Sequence, residues 1–365
     1  MGRRPGRVPR RAGETAHAGL REPWRGADAR GVKHVVVTGG LGFIGSAFVR
    51  QALTERDWRI TVLDAMTYAA NPANVASVSA DARYAFVHGN ICDAAAVRAA
   101  IGDGADAIVN FAAETHVDRS ILDPEAFIRT AAIGTYVLLE AVRERAIPRF
   151  LHVSTDEVYG DVESGSSTEG DPLRPRSPYA ASKAGSDLQV LAHHSTYGTP
   201  VLITRGSNTY GPYQYPEKLV PLFVTNLLDD QTVPVYGDGL QVRDWLHVED
   251  HARGIMHVLE HGTIGEAYNL GGGNSRTNRE ITEGLLAHTG RDWHTHVRQV
   301  KDREGHDRRY SLDAAKARAL GWAPRYPFAA GLEATVAWYR ENEAWWRPIK
   351  SGEFRAYYER QYAHR

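Results

Sequence analysis

The sequence predicts an α/β protein built on a doubly wound parallel sheet, with a smaller C-terminal domain. Three observations lead to this fold class. Short β-branched, apolar runs alternate with helically spaced segments through the first half of the chain. A glycine cluster separates the first apolar run from the first helical segment. After Arg205 the pattern changes to short, turn-rich elements, which indicate a separate layer over one edge of the sheet.

Five apolar runs are predicted as buried strands of the sheet. They are Lys33–Thr38, Arg59–Leu63, Tyr84–His88, Ala107–Phe111 and the run that begins at Phe150 and carries Thr155. Helical patterns follow them, so the first half is predicted to run β-α-β-α-β-α-β-α-β. The longest helices are predicted at Ile121–Arg145 and Tyr179–Tyr197, with a further strand at Val201–Thr204.

The pattern divides the chain into three parts. Residues 32–205 are predicted as a Rossmann-like domain, and residues 206–365 mainly as a substrate-binding domain with some segments returning to the sheet. Residues 1–31 hold eight arginines against three acids and show no apolar period. They are predicted to be a disordered basic tail. An overextended reading frame, with the true start near Val32, is the alternative.

Composition limits the class of function. The 365 residues carry a net charge of −1, which argues against nucleic acid as the main partner. No apolar run has the length of a membrane span, so no membrane partner is expected. Cys92 is the only cysteine, which favours a reducing, cytoplasmic location. His116 and Asp118 lack further ligands at zinc-like spacing, so no metal is expected.

The glycine cluster has the spacing of a phosphate-binding turn. Gly39, Gly42 and Gly45 form G-x-x-G-x-x-G between the first strand and the first helix. Glycines there permit a tight bend and close approach of a pyrophosphate, and the helix N-terminus offers free N–H groups. The turn therefore predicts a bound dinucleotide.

Residues after later strands refine this prediction. Asp64 ends the second strand, nineteen residues after Gly45, where a carboxylate accepts hydrogen bonds from ribose hydroxyls. A carboxylate also repels a 2′-phosphate, so NAD is favoured over NADP. Asn90 follows the third strand and is placed to contact adenine, while the small Ala112–Ala113 pair lets the backbone pass close to the dinucleotide.

Two further motifs carry reactive groups. Thr155, Asp156 and Glu157 follow the fifth strand, at the sheet edge where ligands bind in such folds. Tyr179 and Lys183 are four residues apart and share one helix face. A nearby ammonium stabilises a phenolate, so Lys183 is expected to lower the pKa of Tyr179 and make it a base. Two adjacent carboxyl groups push their titrations apart, so one of them is expected to stay protonated.

With these residues, the chain from about Val32 to its end resembles the extended short-chain dehydrogenase/reductase family and, within it, the dTDP-glucose 4,6-dehydratases. The resemblance rests on several strings, of which the Thr155–Gly160 string with its Asp-Glu pair is the most diagnostic. The others are Ala112–Ser120, Tyr210–Leu219, Arg243–Trp245 and Gly305–Arg309. Related epimerases and decarboxylases lack the Asp-Glu pair, because they expel no water.

The resemblance implies a mechanism. Tyr179, assisted by Lys183, takes the proton of the sugar C4 hydroxyl while C4 passes a hydride to NAD. Glu157 then removes the C5 proton and Asp156 protonates the departing C6 hydroxyl. The hydride returns to C6, which gives a nucleotide-linked 4-keto-6-deoxy sugar. Thr155 is expected to hydrogen-bond the C4 oxygen.

The resemblance also implies two sets of contacts. The expected NAD contacts are Gly39, Gly42, Phe43, Ile44, Gly45, Asp64, Thr67, Asn90, Ile91, Ala112, Ala113, Thr130, Tyr179 and Lys183. The expected substrate contacts are Thr115, Thr155, Asn208, Lys218, Leu219, Pro234, Tyr236, Arg243, Asn278, Arg303 and His306. The family further implies a homodimer in which the two long helices pair with their copies.

Three positions depart from the family pattern: Asn90 where Asp is common, Asn110 where His is common, and Thr209 where Asn often occurs. None of them belongs to the expected chemistry. The sequence leaves open whether the base is thymine or uracil. A UDP-glucose 4,6-dehydratase or a 4-epimerase is the alternative enzyme, and a non-catalytic NAD-binding scaffold is the alternative from another class.

Overall fold

A computed structural model describes residues 33–303, 305–351 and 358. The predicted tail, residues 1–31, lies outside them. The strands are β1 (Lys33–Thr38), β2 (Trp58–Asp64), β3 (Tyr84–His88), β4 (Ala107–Asn110), β5 (Phe150–Thr155), β6 (Val201–Gly206), β7 (Asn208–Tyr210), β8 (Val233–Tyr236), β9 (Val242–His247), β10 (Ala267–Leu270), β11 (Ser275–Thr277) and β12 (Val297–Val300). The five strands predicted in the first half are therefore all present.

The helices fill both faces of the main sheet and build the second layer. They are α1 (Phe43–Glu55), α2 (Ala94–Ile101), α3 (Val117–Leu122), α4 (Pro124–Arg129), α5 (Thr135–Glu144), α6 (Pro178–Tyr197), α7 (Leu219–Leu228), α8 (Val248–His261), α9 (Asn278–Thr289), α10 (Trp293–His296), α11 (Ala315–Ala319), α12 (Phe328–Glu341) and α13 (Glu343–Trp346).

Seven parallel strands form the main sheet in the order β10-β6-β5-β4-β1-β2-β3. The chain leaves β1 toward β2 and β3, and returns to its other side with β4. This reversal makes the β1/β4 edge the topological switch point, where ligands bind in doubly wound sheets. A Rossmann-like fold is thus confirmed.

Apart from the edge strand β3, the strands of the main sheet are buried on both faces, because β-branched and other apolar side chains cover both. One core cluster packs α1 and α8 against the sheet, and another packs α2, α5 and α6 against the opposite face. A third cluster joins α7, α9 and α12 beyond the carboxyl edge. Strand β10 comes from the C-terminal half, so a late segment does return to the sheet.

Two predicted helices differ from the structure. The link between β2 and β3 contains only a 3-10 turn, Pro72–Val75, and no α-helix. The predicted helix Ile121–Arg145 is broken after Leu122, because Pro124 pushes the preceding Asp123 out of helical geometry (φ −143°, ψ 81°). It resumes as α4, passes through a π turn at residues 130–134, and continues as α5.

Candidate active site

A cavity of about 300 Å³ lies at the carboxyl ends of the central strands. All the residues expected to contact NAD line it. They are Gly39, Gly42, Phe43, Ile44, Gly45, Asp64, Thr67, Asn90, Ile91, Ala112, Ala113, Thr130, Tyr179 and Lys183. We call this space the cofactor cavity.

The glycine turn leaves room for a pyrophosphate because side chains are excluded from it. Gly39 has φ +68°, and a Cβ there would lie 2.7 Å from the backbone nitrogen of Ala112. A Cβ on Gly45 would strike the carbonyl oxygen of Gly39. Gly42 precedes α1 and no side chain caps that helix, so its first N–H groups remain available for an anion. These features fit a dinucleotide phosphate.

Asp64 is buried at the end of β2 and is already held by the backbone. Its two carboxylate oxygens accept hydrogen bonds from the N–H groups of Leu41 (3.0 Å) and Met66 (2.8 Å). Burial raises the pKa of Asp64, and these two hydrogen bonds oppose the rise. Each oxygen keeps a second lone pair, so the carboxylate can still accept ribose hydroxyls.

The end of the cofactor cavity where adenine is expected is lined by Asn90 and Ile91 after β3 and by the π turn. The Asn90 amide oxygen accepts a hydrogen bond from the N–H of Cys92 at 2.8 Å, which fixes the side chain at the exposed rim. The π turn brings Thr130 to the cavity. Gly134 in the same turn is required by close packing, because a Cβ there would strike the side chain of Ile91.

The reactive residues after β5 sit on a single 3-10 turn, residues 156–159. Thr155 caps this turn: its hydroxyl oxygen accepts from the N–H of Glu157 at 3.3 Å and donates to Asp156 at 3.2 Å. The turn ends the alternation of the strand, so adjacent side chains can face the same space. Thr155, Asp156 and Glu157 all line the cofactor cavity.

The two carboxyl groups differ in their surroundings. Burial, reinforced by the charge of Glu157, raises the pKa of Asp156 well above its usual range. Burial also raises the pKa of Glu157, but the cations Arg303, Lys218 and Arg243 oppose that rise. One oxygen of each carboxyl group has no hydrogen-bond partner within the described ranges. The pair can therefore offer a protonated acid beside a carboxylate base.

Tyr179 and Lys183 line the same cavity, from the first turns of α6. The Lys183 ammonium donates to the carbonyl oxygen of Val153 on β5 at 2.7 Å, and burial lowers its pKa to about 8. The expectation that Lys183 lowers the pKa of Tyr179 is wrong here. Burial raises the pKa of Tyr179, and Glu157 and Asp156 raise it further.

A second cavity of about 150 Å³ opens toward the C-terminal layer, and we call it the substrate cavity. Most of the expected substrate contacts line it. They are Asn208, Lys218, Leu219, Pro234, Tyr236, Arg243, Asn278, Arg303 and His306. Thr115 and Thr155 lie in the cofactor cavity instead. Four residues line both spaces, namely Glu157, Asn208, Glu217 and Lys218, so the two cavities are adjacent.

The substrate cavity is rich in cations that side-chain carboxylates only partly neutralise. Arg243 is buried, donates to the carbonyl oxygen of Asp307 at 2.9 Å and stacks 4.2 Å from the ring of Tyr310. Arg303 lies 3.7 Å from Asp118. Burial lowers the pKa of Lys218. Such a group of cations suits a diphosphate.

His306 and Tyr236 are held by hydrogen bonds at the edge of the substrate cavity. His306 is 2.6 Å from the Asp302 carboxylate, yet burial and the charge of Arg303 lower the pKa of His306 to about 4. The Tyr236 hydroxyl donates to Asp118 at 3.2 Å. The sequence analysis names Asp118 as a rejected metal ligand and includes it in the Ala112–Ser120 string, but it does not predict that Asp118 holds Tyr236 and Arg303.

A second group that the sequence did not predict lies between the cavities. The carboxylate of Glu217 accepts from the Tyr68 hydroxyl (2.8 Å) and from Arg119 (2.8 Å), while Arg119 stacks 3.6 Å from the Tyr68 ring. Tyr68 also donates to the carbonyl oxygen of Thr115 at 3.1 Å. Glu217 and Arg119 belong to the diagnostic strings, but nothing in the sequence indicates that they meet.

Among the residues that the structure describes, no group of three or more His, Cys, Asp or Glu is arranged to hold a metal ion. None of the helices described is long and apolar enough to span a membrane.

Known proteins resemble this chain over most of its length. The profile of the GDP-mannose 4,6 dehydratase family matches residues 36–335. The dTDP-glucose 4,6-dehydratase of Streptomyces niveus is 53% identical over 323 residues, which cover 87% of this chain and 96% of that protein. The enzyme of the same name from Escherichia coli K12 is 44% identical over 355 residues, with 90% and 98% covered.

A solved structure of another dTDP-glucose 4,6-dehydratase also resembles this chain. The dTDP-glucose 4,6-dehydratase DesIV of Streptomyces venezuelae, crystallised with NAD and a second ligand bound, superposes with a TM-score of 0.85. It is 56% identical, with 87% of this chain and 100% of that chain covered. The chain therefore belongs to the extended short-chain dehydrogenase/reductase family, within its group of dTDP-glucose 4,6-dehydratases.

Proposed function

We propose that the protein is an NAD-dependent lyase that converts dTDP-glucose to dTDP-4-keto-6-deoxyglucose. The observation that carries this proposal is the Asp156–Glu157 pair at the junction of the two cavities. A reaction that expels water from neighbouring carbons needs one proton donor and one proton acceptor side by side. A 4-epimerase, the alternative enzyme, has no such step and does not explain the pair.

Tyr179 starts the reaction at the sugar C4 hydroxyl. Its phenolic oxygen takes the hydroxyl proton, and Thr155, which adjoins it, hydrogen-bonds the C4 oxygen. Only the phenolate form of Tyr179 can take this proton. Because burial raises the pKa of Tyr179 in the free protein, the phenol must first lose its own proton to solvent, and the hydrogen bond with Thr155 favours that loss. NAD, when bound, accepts the hydride from C4 and returns it to C6 within one turnover.

Glu157 and Asp156 carry out the elimination. The new C4 ketone acidifies the C5 proton, and the Glu157 carboxylate removes it. Asp156, whose raised pKa keeps it protonated, donates its proton to the C6 hydroxyl, which leaves as water. The charge of Arg303, Lys218 and Arg243 opposes the rise in the pKa of Glu157 that burial causes, and so favours the carboxylate form that acts as the base.

The substrate cavity is proposed to bind the nucleoside diphosphate. Lys218, Arg243 and Arg303 supply the positive charge, and bidentate guanidinium contacts suit phosphate oxygens. Lys218 and Asn208 line both cavities, and so does Glu157, which supports a hexose at their junction, beside the Asp156–Glu157 turn.

The test is incubation of the purified protein with dTDP-glucose and, separately, UDP-glucose, followed by mass analysis. Loss of one water from dTDP-glucose, without added cofactor, is expected. The released cofactor should be NAD, because the Asp64 carboxylate is proposed to accept the ribose hydroxyls and would repel a 2′-phosphate. Isomerisation without loss of water would support the epimerase instead, and recovery of NADP would contradict the assignment of Asp64.

We also propose a homodimer in the cytoplasm. The helices α3 to α6 and the π turn carry large apolar side chains that are exposed in the single chain. They are Ile121, Leu122, Ile128, Ile133, Tyr136, Leu188 and Tyr197. An apolar surface of this kind favours burial against a second copy. Leu188→Glu should lower the mass measured by sedimentation, whereas Leu240→Glu, at an exposed apolar residue elsewhere, should leave it unchanged.

A further inference from the structure

A buried ion pair lies behind Lys183, within the sheet-facing side of α6, and the reaction described above uses neither of its members. Asp187 is fully buried, and one of its oxygens accepts from Arg205 on β6 at 2.8 Å. The other oxygen lies 3.7 Å from the Nε2 atom of His152 on β5 and has no hydrogen-bond partner within the described ranges. The Arg205 guanidinium also donates to the Tyr159 hydroxyl at 2.7 Å.

Asp187 follows Lys183 by four residues on α6, so both side chains project from one face of that helix. Lys183 itself donates to the carbonyl of Val153, and among the described residues no ion pair joins it directly to a carboxylate. Burial lowers the pKa of Lys183, and the group that counteracts this is Asp187.

The other charged groups around Lys183 do not replace this carboxylate. Burial lowers the pKa of His152 well below its usual range, so that ring is neutral, and Arg205 is a second cation. Burial raises the pKa of Asp187, but the Arg205 guanidinium holds its charged form. The acids that line the cofactor cavity are Asp64, Glu114, Asp156, Glu157 and Glu217. The charge that raises the pKa of Lys183 comes from Asp187 and not from these acids, and Asp156 is neutral in the proposed mechanism.

We propose that Asp187 is a positioning residue for the reaction: its charge keeps the Lys183 ammonium protonated, and so able to assist Tyr179. The inference rests on the proposed function, because it assigns Lys183 the role of assisting Tyr179. Asp187 touches neither cavity, so it acts through Lys183 and not on the ligand.

The first experiment compares the pH dependence of kcat in wild type and Asp187→Asn, with dTDP-glucose saturating. In wild type, kcat should fall at high pH where Lys183 loses its proton, and we call this fall the high-pH limb of the profile. Loss of the Asp187 carboxylate should move the midpoint of this limb to lower pH by about one pH unit or more, the size of effect of a nearby opposite charge. Asp187→Glu keeps the charge and should restore the limb. A limb that stays in place in Asp187→Asn would overturn the proposal.

Asp250→Asn is the matched control. Asp250 is also fully buried on a helix and pairs with Arg253 at 2.7 Å, but it lies on α8 and lines neither cavity. Its substitution should lower stability and leave the pH limb unmoved. If both Asp250→Asn and Asp187→Asn shift the limb equally, the effect is loss of stability and the proposal fails.

A second variant serves if Asp187→Asn does not fold. Arg205→Gln keeps a donor for Asp187 but removes the cation that holds the charged form of Asp187. Asp187 should then take up a proton more readily, so the high-pH limb should move to lower pH. An unmoved or raised limb would contradict the proposal.

A direct measurement separates this inference from the proposed function. Competitive labelling of the full chain with acetic anhydride, read by peptide mass, gives the pH at which the Lys183 amine becomes reactive without any substrate. That pH should fall in Asp187→Asn even if wild type makes no product from dTDP-glucose. An unchanged midpoint would overturn the inference, whereas absence of product with a lowered midpoint would overturn only the proposed function.

Discussion

The cofactor cavity and the substrate cavity are lined by different kinds of chemical group. The first is framed by backbone groups and small residues, with Gly39 packed against both Gly45 and Ala112 at the glycine turn. The second is framed by long charged side chains, including Arg243 and Arg303. A backbone frame excludes most substitutions by shape. A frame of charged side chains works only when each charge is held in place by another group.

Buried polar atoms that lack hydrogen bonds within the described ranges line both cavities. In the substrate cavity or at its junction with the cofactor cavity they are Asp118 Oδ1, Glu157 Oε2, Asn208 Oδ1 and Arg303 Nε, and in the cofactor cavity they include Ser154 Oγ, Ser207 Oγ and Gln214 Oε1. Leaving such atoms unpaired is costly unless a ligand pairs with them. Both cavities therefore hold unsatisfied polarity that a ligand can satisfy, and in the cofactor cavity the glycine turn adds complementarity through shape.

The largest predicted effect is at the junction. Glu157→Gln keeps shape and hydrogen bonding but cannot take a proton, so elimination should slow about 10²–10⁴-fold, the usual size of a general-base contribution. Oxidation at C4 depends on Tyr179 and Lys183 and should continue. The variant mixed with dTDP-glucose should then accumulate reduced nicotinamide, visible by its absorbance, and solvent deuterium should no longer enter at C5.

The control for this variant is Glu163→Gln, at an exposed acid in the loop after the catalytic turn that lines neither cavity. It should keep the wild-type rate. If Glu157→Gln forms product at the normal rate, Glu157 is not the base. If the variant instead loses oxidation and elimination together, Glu157 braces the loop.

A smaller effect is expected inside the substrate cavity. Arg303→Ala should weaken binding of dTDP by roughly 1.5–3 kcal/mol, the worth of a charge-assisted hydrogen bond, and leave NAD affinity unchanged. Isothermal calorimetry with each ligand measures both. Arg308→Ala is the matched control, because Arg308 is exposed and paired with Asp238 at 2.9 Å. Equal losses in both variants would show a general effect of charge.

The corresponding effect in the cofactor cavity is steric. In Gly45→Ala the new methyl group must displace the carbonyl of Gly39, which should cost about 1–3 kcal/mol of stability as overpacking does. The NAD dissociation constant should rise at least about tenfold, or 1.4 kcal/mol. Gly170→Ala, where a Cβ meets nothing within 4 Å, should change neither quantity. Unchanged NAD affinity in Gly45→Ala would mean that the turn tolerates side chains.

The same contrast explains what the sequence could predict. The cofactor cavity is formed by residues that follow consecutive strands, so strand order and glycine spacing suffice to place Gly39, Asp64 and Ala112. The group of Tyr68, Arg119 and Glu217 could not be predicted, because Tyr68 and Glu217 are 149 residues apart and meet only through the fold.

Two other predictions differ from the structure for local reasons. The break at Asp123 was encoded by Pro124, but the helical spacing on either side of it outweighed that signal in the prediction. The pKa of Tyr179 depends on how deeply the phenol is buried and on two carboxylates from another segment, and a four-residue spacing to Lys183 reveals neither. The individual contacts to NAD and to the sugar nucleotide stay predictions, as does the cytoplasmic location.

The smallest expected effect concerns which nucleobase, thymine or uracil, the substrate carries. The substrate cavity is lined by apolar groups as well as cations, among them Leu222, Phe223 and Val235, all buried. If the base lies against them, the thymine methyl group should contribute about 0.8 kcal/mol, the value of one buried methylene, or roughly fourfold in affinity. dTDP and dUDP differ only in this methyl group, so their dissociation constants isolate it. Phe223→Ala should abolish the difference between the two nucleotides while the diphosphate contacts persist. Equal affinity of the wild type for dTDP and dUDP would place the base away from these side chains, and would leave a uridine nucleotide as an equally suitable substrate.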